Sequence, residues 1–97
     1  MTKRFLPLSP KGKLRNIGPT TMERLREVGI SGIDDLRALG SLNAYLRLKF
    51  RFPTFTSLNA LYALEGALLD CDWRHLPAER RNDLRRALQV LTLSGPR

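Results

Sequence analysis

"SLNALYALEGALLDCDWRHLP", residues 57 to 77, is the stretch that decides the fold. Written as a helix, it places Leu58, Leu61, Tyr62, Leu64, Leu68 and Leu69 nearly all the way round the axis, with Thr56 or Ser57 as its cap. A helix apolar on most faces is one surrounded by other helices, so this segment is expected at the centre of a bundle. It also carries Asn59 and Glu65. Desolvating a carboxylate without a partner costs several kcal/mol, so Glu65 must find donors. Two sources are open: Arg80, and exposed backbone N–H groups at a neighbouring helix start. Counting about 100° per residue puts Arg80 on the stripe of Leu84, Ala87 and Leu91, one turn before them. Glu65 and Arg80 are therefore candidates for a buried clamp that fixes how two helices dock; a catalytic Glu65 is the competing reading.

The flanking sequence supplies the other helices. "GPTTMERLREVGI" (18–30) starts with Pro19 suited to a first helical turn, lines up Met22, Leu25 and Val28, and stops at Gly29. In "SGIDDLRALG" (31–40), Ser31 is placed to cap with Asp34, Ile33, Leu36 and Leu39 face inward, and Gly40 ends the helix. Ser41 opens a third, with Leu42, Tyr45, Leu46 and Phe50 as its apolar positions and Pro53 as its limit. The last helix is expected from Pro77, with Leu84, Ala87, Leu88 and Leu91 inward and Arg81, Arg85 and Arg86 off the stripe. No strand or internal repeat is apparent. The expected fold is all-α, a compact bundle of about five helices in one domain over residues 14–93, behind a basic arm at 1–13 punctuated by Pro7, Pro10 and Gly12 and followed by a tail at 94–97.

Composition narrows the function. The 97 residues, 42% hydrophobic and 27% charged, fit one soluble globular core. The apolar run Leu58 to Leu69 falls short of the ~20 residues of a spanning helix, and the N-terminus has no h-region or cleavage site, so a cytoplasmic protein is expected. Cys71 is the single cysteine and cannot make an internal disulfide. Seventeen Lys and Arg against nine Asp and Glu give a formal net charge of +8, which draws the chain toward polyanions. Lys3, Arg4, Lys11, Lys13 and Arg15 all precede the first acid, Glu23, and read either as a solvated tail or as a phosphate-contacting arm.

Enzyme readings find little support. Cys71 and His75 lie four apart, but a structural metal site wants four ligands and no second Cys or His completes one. The pair could be a nucleophile and its base, or simply two residues of an interhelical turn. No glycine-rich phosphate loop of the Walker or dinucleotide kind is present. Trp73 reads as a lid on the core rather than a platform for stacked bases. No catalytic residue, metal or cofactor is expected.

"LRNIGPTTMERLREVGI" (14–30) resembles a helix-hairpin-helix element, in which a tight turn feeds a helix whose first backbone N–H groups bind a phosphate. Asn16 stands where that element has its first glycine, and Gly18 matches the second; Asn tolerates the left-handed backbone that such a turn needs. The candidate nucleic-acid contacts are Lys13, Arg15, Asn16, Gly18, Thr20 and Thr21, with Arg24 on the helix that follows. A second hairpin of this type is missing.

A narrower resemblance runs from about Leu14 to Leu88. "LRNIGPTTMERLREVGI", "DLRALGSLNAYLRLK" and above all "SLNALYALEGALLDCDWRHLP" are similar to the C-terminal domain of the TfoX (Sxy) family of bacterial competence regulators. The resemblance implies a compact helical domain linked to expression of DNA-uptake genes, with no catalytic residues; two-domain members carry a separate N-terminal domain. The expected role is a non-enzymatic regulator of transcription or competence that contacts nucleic-acid phosphates, or else an adaptor without direct DNA binding that docks an acidic protein of the transcription machinery. Neither a membrane nor a small-molecule substrate is implied.

Overall fold

The computed structural model describes residues 14–94, so the expected arm, Lys13 included, and the last three residues of the tail lie outside the described residues. Within them the chain forms five α-helices and one 3-10 turn, with no strand: α1 (Pro19–Glu27), α2 (Ile33–Leu39), α3 (Ser41–Arg51), α4 (Leu58–Leu69), the 3-10 turn (Trp73–His75) and α5 (Ala78–Ser94). The architecture is an all-α bundle.

α4 is its centre. Seven consecutive residues, Leu61 to Ala67, are all buried, which a helix achieves only when neighbours cover every side of it. α3 packs along it most extensively, α2 and the 3-10 turn cover other faces, and α1 and α5 reach the core chiefly through α3. Leu25, Ile30, Leu36, Leu48, Leu61 and Leu64 are fully buried, drawn from α1, the turn after it, α2, α3 and α4. Each such side chain contributes about 2 kcal/mol of transfer from water. Exposed ion pairs such as Arg37–Asp34 and Arg86–Asp83 contribute about 0–1 kcal/mol, so apolar packing and not surface charge positions the helices.

The connections are short and locally determined. Gly40 caps the end of α2 and the start of α3 at once with φ 88°, a left-handed value that an L side chain resists. The α3–α4 loop is strapped by Lys49, whose Nζ donates to the carbonyls of Pro53 at 3.1 Å and Thr56 at 2.8 Å.

Several helix-level expectations are corrected. Ser31 does not cap α2: Gly32 holds the N-cap position, and the Ser31 N–H instead donates to Asp35 Oδ2 at 2.8 Å. Ser57 is the N-cap residue of α4 without a side-chain bond, while the buried Thr56 hydroxyl donates to the Leu48 carbonyl and ties the end of α3 to α4. α5 begins at Ala78, one residue after Pro77. Phe50 is 91% exposed, not inward. The positions Leu42, Leu46 and Phe50 are spaced by four, and each such step rotates by about 40°, so the stripe drifts off the core; Phe50 ends up about 180° from Ser41. The true inner face is Ser41, Ala44, Tyr45 and Leu48. Leu69 and Leu91 are also exposed, at 46% and 43%, and so is Ala87. No described helix is long and apolar enough to cross a membrane.

Candidate functional site

The turn before α1 is built on Asn16. Leu14 is buried and its carbonyl accepts from the Ile17 N–H at 3.2 Å, so the exposed Arg15 and the half-buried Asn16 form the bend between them. Asn16 takes φ 71°, the left-handed conformation expected of it. Its side chain, however, is committed inward. Nδ2 donates to the Cys71 carbonyl at 2.9 Å and to the Ala63 carbonyl at 3.4 Å, and Oδ1 accepts from the Trp73 N–H at 3.3 Å. Asn16 thus ties the turn to α4 and to the 3-10 turn, and its amide has little capacity left for a ligand.

This contact depends on Gly66, a glycine inside α4 whose need for a bare Cα has no local sequence signal. A Cβ there would stand 2.5 Å from Asn16 Nδ2, 2.8 Å from the Cys71 carbonyl oxygen and 3.3 Å from Trp73 Cα. Only a bare Cα lets the turn approach so closely.

The held turn presents the start of α1. Gly18 is its N-cap residue, and no side chain caps the helix. Pro19 has no N–H to offer, and Met22 N–H is the first to bond back, to Gly18 at 2.9 Å. The N–H groups of Gly18, Thr20 and Thr21 therefore have no partner inside the helix. No acidic residue lies in this first turn, Gly18 and Thr20 are exposed, and a Cβ on Gly18 would meet nothing within 4 Å. The positive end of the helix dipole faces outward without a carboxylate on its first turn.

Two arginines flank it. Arg15 lies 3.6 Å from Asp70, the left-handed C-cap residue of α4, in an exposed ion pair that solvent screens. Arg24 is one turn after Thr20 on the same side of α1. Its guanidinium stacks over Phe55 at 4.8 Å and Phe52 at 5.6 Å, rings contributed by the α3–α4 loop. Phe55 is 68% exposed, and only the stacked Arg24, remote in sequence, reveals its place. Arg15, Gly18, Thr20, Thr21 and Arg24 thus gather around one helix start, while Asn16 supports them from behind.

Glu65 belongs to a separate cluster. It is 8% exposed; Oε1 accepts from the Ser41 hydroxyl at 2.6 Å, and Oε2 lies 3.2 Å from Arg80 Nε. Arg80 supplies one contact from a side chain that is about half exposed rather than inward. The second donor does sit at a neighbouring helix start, but it is the hydroxyl of Ser41 and not a backbone N–H. One carboxylate therefore links α3, α4 and α5.

In the turn after α4, Cys71 is half-buried with its backbone bonded to Gly66 and Asn16, and His75 is exposed. Among the described residues no group of three or more His, Cys, Asp or Glu side chains is placed to hold a metal ion. Trp73 is half-buried. Asp72 accepts from Arg74 through both its guanidinium and its backbone N–H, and these bonds hold the Asp72 carboxyl well below the usual carboxylate range.

The family model described as the TfoX C-terminal domain matches residues 11–88. Two solved structures are similar over nearly their whole length. An uncharacterized protein from Listeria monocytogenes, in a triclinic crystal form, is 31% identical with a TM-score of 0.74, the match covering 84% of this chain and 91% of that one. A tetragonal form of a Listeria monocytogenes protein of unknown function is also 31% identical with a TM-score of 0.73, covering 82% and 98%. No curated protein matches the chain.

Proposed function

The chain belongs to the TfoX C-terminal domain family, and from that premise we propose that it is a non-catalytic regulatory domain linked to DNA-uptake competence, acting beside nucleic acid through the start of α1. One observation carries this reading: a rigidly held turn that leaves an uncapped helix start, free of carboxylates on its first turn, open to solvent between Arg15 and Arg24. Such a surface suits a phosphate. The unpaired N–H groups of Gly18, Thr20 and Thr21 supply short-range donors, the dipole adds a favourable field, and Arg15 and Arg24 add charge. These contacts read the backbone and not the bases, so the expected binding is independent of sequence.

Twelve of the seventeen basic residues and all nine acidic ones fall within 14–94, leaving a formal charge of only +3 there. The rest of the excess charge is carried by Lys3, Arg4, Lys11, Lys13 and Arg97. Binding is therefore expected to draw on the arm as well as the turn. The test is a titration of the full chain against duplex DNA and heparin at two salt concentrations, with Gly18→Val beside wild type. Weaker duplex binding by a folded Gly18→Val is the expected result. Binding equal to wild type would remove α1 from the interface.

A further inference from the structure

α3 carries apolar residues on two opposite faces, and the described residues cover only one of them fully. Its outer side carries Phe50 and the half-buried Leu46, which together with Val28 after α1 and Leu39 at the end of α2, both also half-buried against the core, form the floor of an open groove of about 790 Å³. Phe50, the penultimate residue of α3, is 91% exposed, and among the described residues nothing covers it. The groove wall is cationic. Arg47, Lys49 and Arg51 line it, the Lys49 ammonium being bonded to the carbonyls of the α3–α4 loop, and among the described residues no acidic one does. Arg51 is held by Glu27 at 3.2 Å, but Arg47 donates to the Val28 carbonyl at 2.9 Å, so its charge is fixed in place and not neutralised by that bond.

We propose that this α3 groove docks an acidic amphipathic helix of a partner protein, its apolar stripe on Leu46 and Phe50 and its flanking carboxylates beside Arg47 and Arg51. Charge complementarity selects this occupant. A second copy of the chain is disfavoured, because a two-fold interface repeats the same patch and would set the three cations of one copy against those of the other at a net charge of +8 per chain. A single-stranded nucleic acid is disfavoured by the floor, which is aliphatic except for Phe50 and gives successive bases no series of rings on which to stack. An amphipathic helix offers what the groove lacks: apolar side chains at i, i+3, i+4 and i+7, with acids on either flank. The groove is distinct from the start of α1, so the two surfaces together would let the domain hold a protein while it contacts a phosphate backbone.

The test uses the full chain and a capped synthetic helix with Leu and Phe at i, i+3, i+4 and i+7 and Glu at the flanking positions, followed by amide chemical shifts and fluorescence anisotropy. The expected result is saturable one-to-one binding, with shifts centred on Val28, Leu39, Leu46 and Phe50. Phe50→Ser and Arg47→Glu should each weaken it at least tenfold, as should exchanging the peptide's Glu for Lys. Phe50 is nearly all in solvent, so Phe50→Ser is expected to fold, and its duplex-DNA titration should match wild type, which separates this surface from the start of α1. Absence of saturable binding, shifts centred on α5, or indifference to Phe50→Ser would overturn the proposal. So would a dimer, detected by sedimentation and abolished by Phe50→Ser, or an oligo-dT that binds the groove more tightly than the peptide.

Discussion

Asn16 and Gly66 occupy one shared space: the Asn16 amide nitrogen lies 2.5 Å from where a Cβ on residue 66 would stand. The absent side chain lets a surface turn reach the carbonyls of Ala63 and Cys71 behind the central helix. Gly66→Ala brings two opposed effects. Alanine in a helix interior gains about 1 kcal/mol of propensity over glycine, whereas forcing a methyl into an occupied site costs about 1–3 kcal/mol, and here two atoms lie under 3 Å from it. Net destabilisation is expected in urea unfolding. Asn16→Gly keeps the left-handed backbone but loses three hydrogen bonds, and the double variant should cost less than the two singles added together, because the smaller residue 16 relieves part of the clash. Gly66→Ala at or above wild-type stability would contradict the contact.

The Glu65 cluster predicts a graded series. Glu65→Ala strands Arg80 and the Ser41 hydroxyl and should cost on the order of 3 kcal/mol. Ser41→Ala removes one neutral donor to a charge and should cost about 1–2 kcal/mol. Arg80→Ala leaves the buried Glu65 carboxylate with the Ser41 hydroxyl alone and should cost about 2–3 kcal/mol. Thermal melts in one buffer rank the three. An Arg80→Ala cost below that of Ser41→Ala would mean that the hydroxyl, not the ion pair, satisfies the carboxylate.

Asp72 gives the pH dependence. Its carboxyl is held below its ordinary value of 3.8 by the hydrogen bonds from Arg74, so the folded chain binds its proton less readily than the unfolded chain. A depressed folded value means stability that is complete above the unfolded value and fades as pH falls below about 4. Asp72→Asn should therefore be less stable than wild type at neutral pH and converge on it in acid. A difference in melting temperature that stays constant from pH 7 to pH 2 would show that the bonds to Arg74 do not depend on charge.

The central position of α4 was legible because its apolar residues exceed what one helix face can hold, and Glu65 announced itself as a carboxylate among them. Helical geometry pointed to Arg80, although Ala87 and Leu91 on the same stripe are exposed and Arg80 itself is about half exposed. Ser41 as the second donor was not legible, since a serine at a helix start looks the same whether it caps its own helix or serves another. The backbone of Asn16, left-handed at φ 71°, is legible from its residue type, while the three bonds of its side chain span more than forty residues and leave no local signal. Gly66 was silent for the same reason: a glycine demanded by another segment's approach resembles any small helical residue. Phe50 misled because a stripe spaced by four looks continuous over two turns and leaves the core in the third.

The salt dependence of DNA binding tests the α1 surface most directly. With about three phosphates neutralised, the slope of log affinity against log salt should be near −3, so moving from roughly 50 to 200 mM salt should weaken binding about 40-fold. Arg15→Ala should lower the slope by about one unit. Asp70 adds a test in the opposite direction. It competes for Arg15 at 3.6 Å, and Asn is suited to its left-handed backbone at φ 55°, so Asp70→Asn should fold, free the guanidinium and tighten binding a few-fold at low salt. Gly18 has open space where a side chain would go and a φ of −80° that any residue adopts, so Gly18→Val is expected to keep the fold while screening the N–H groups behind it. Tighter binding in Asp70→Asn together with weaker binding in Gly18→Val would place the phosphate between Arg15 and α1. If neither changes while truncation of residues 1–13 abolishes binding, the arm alone contacts DNA and the start of α1 is not part of the interface.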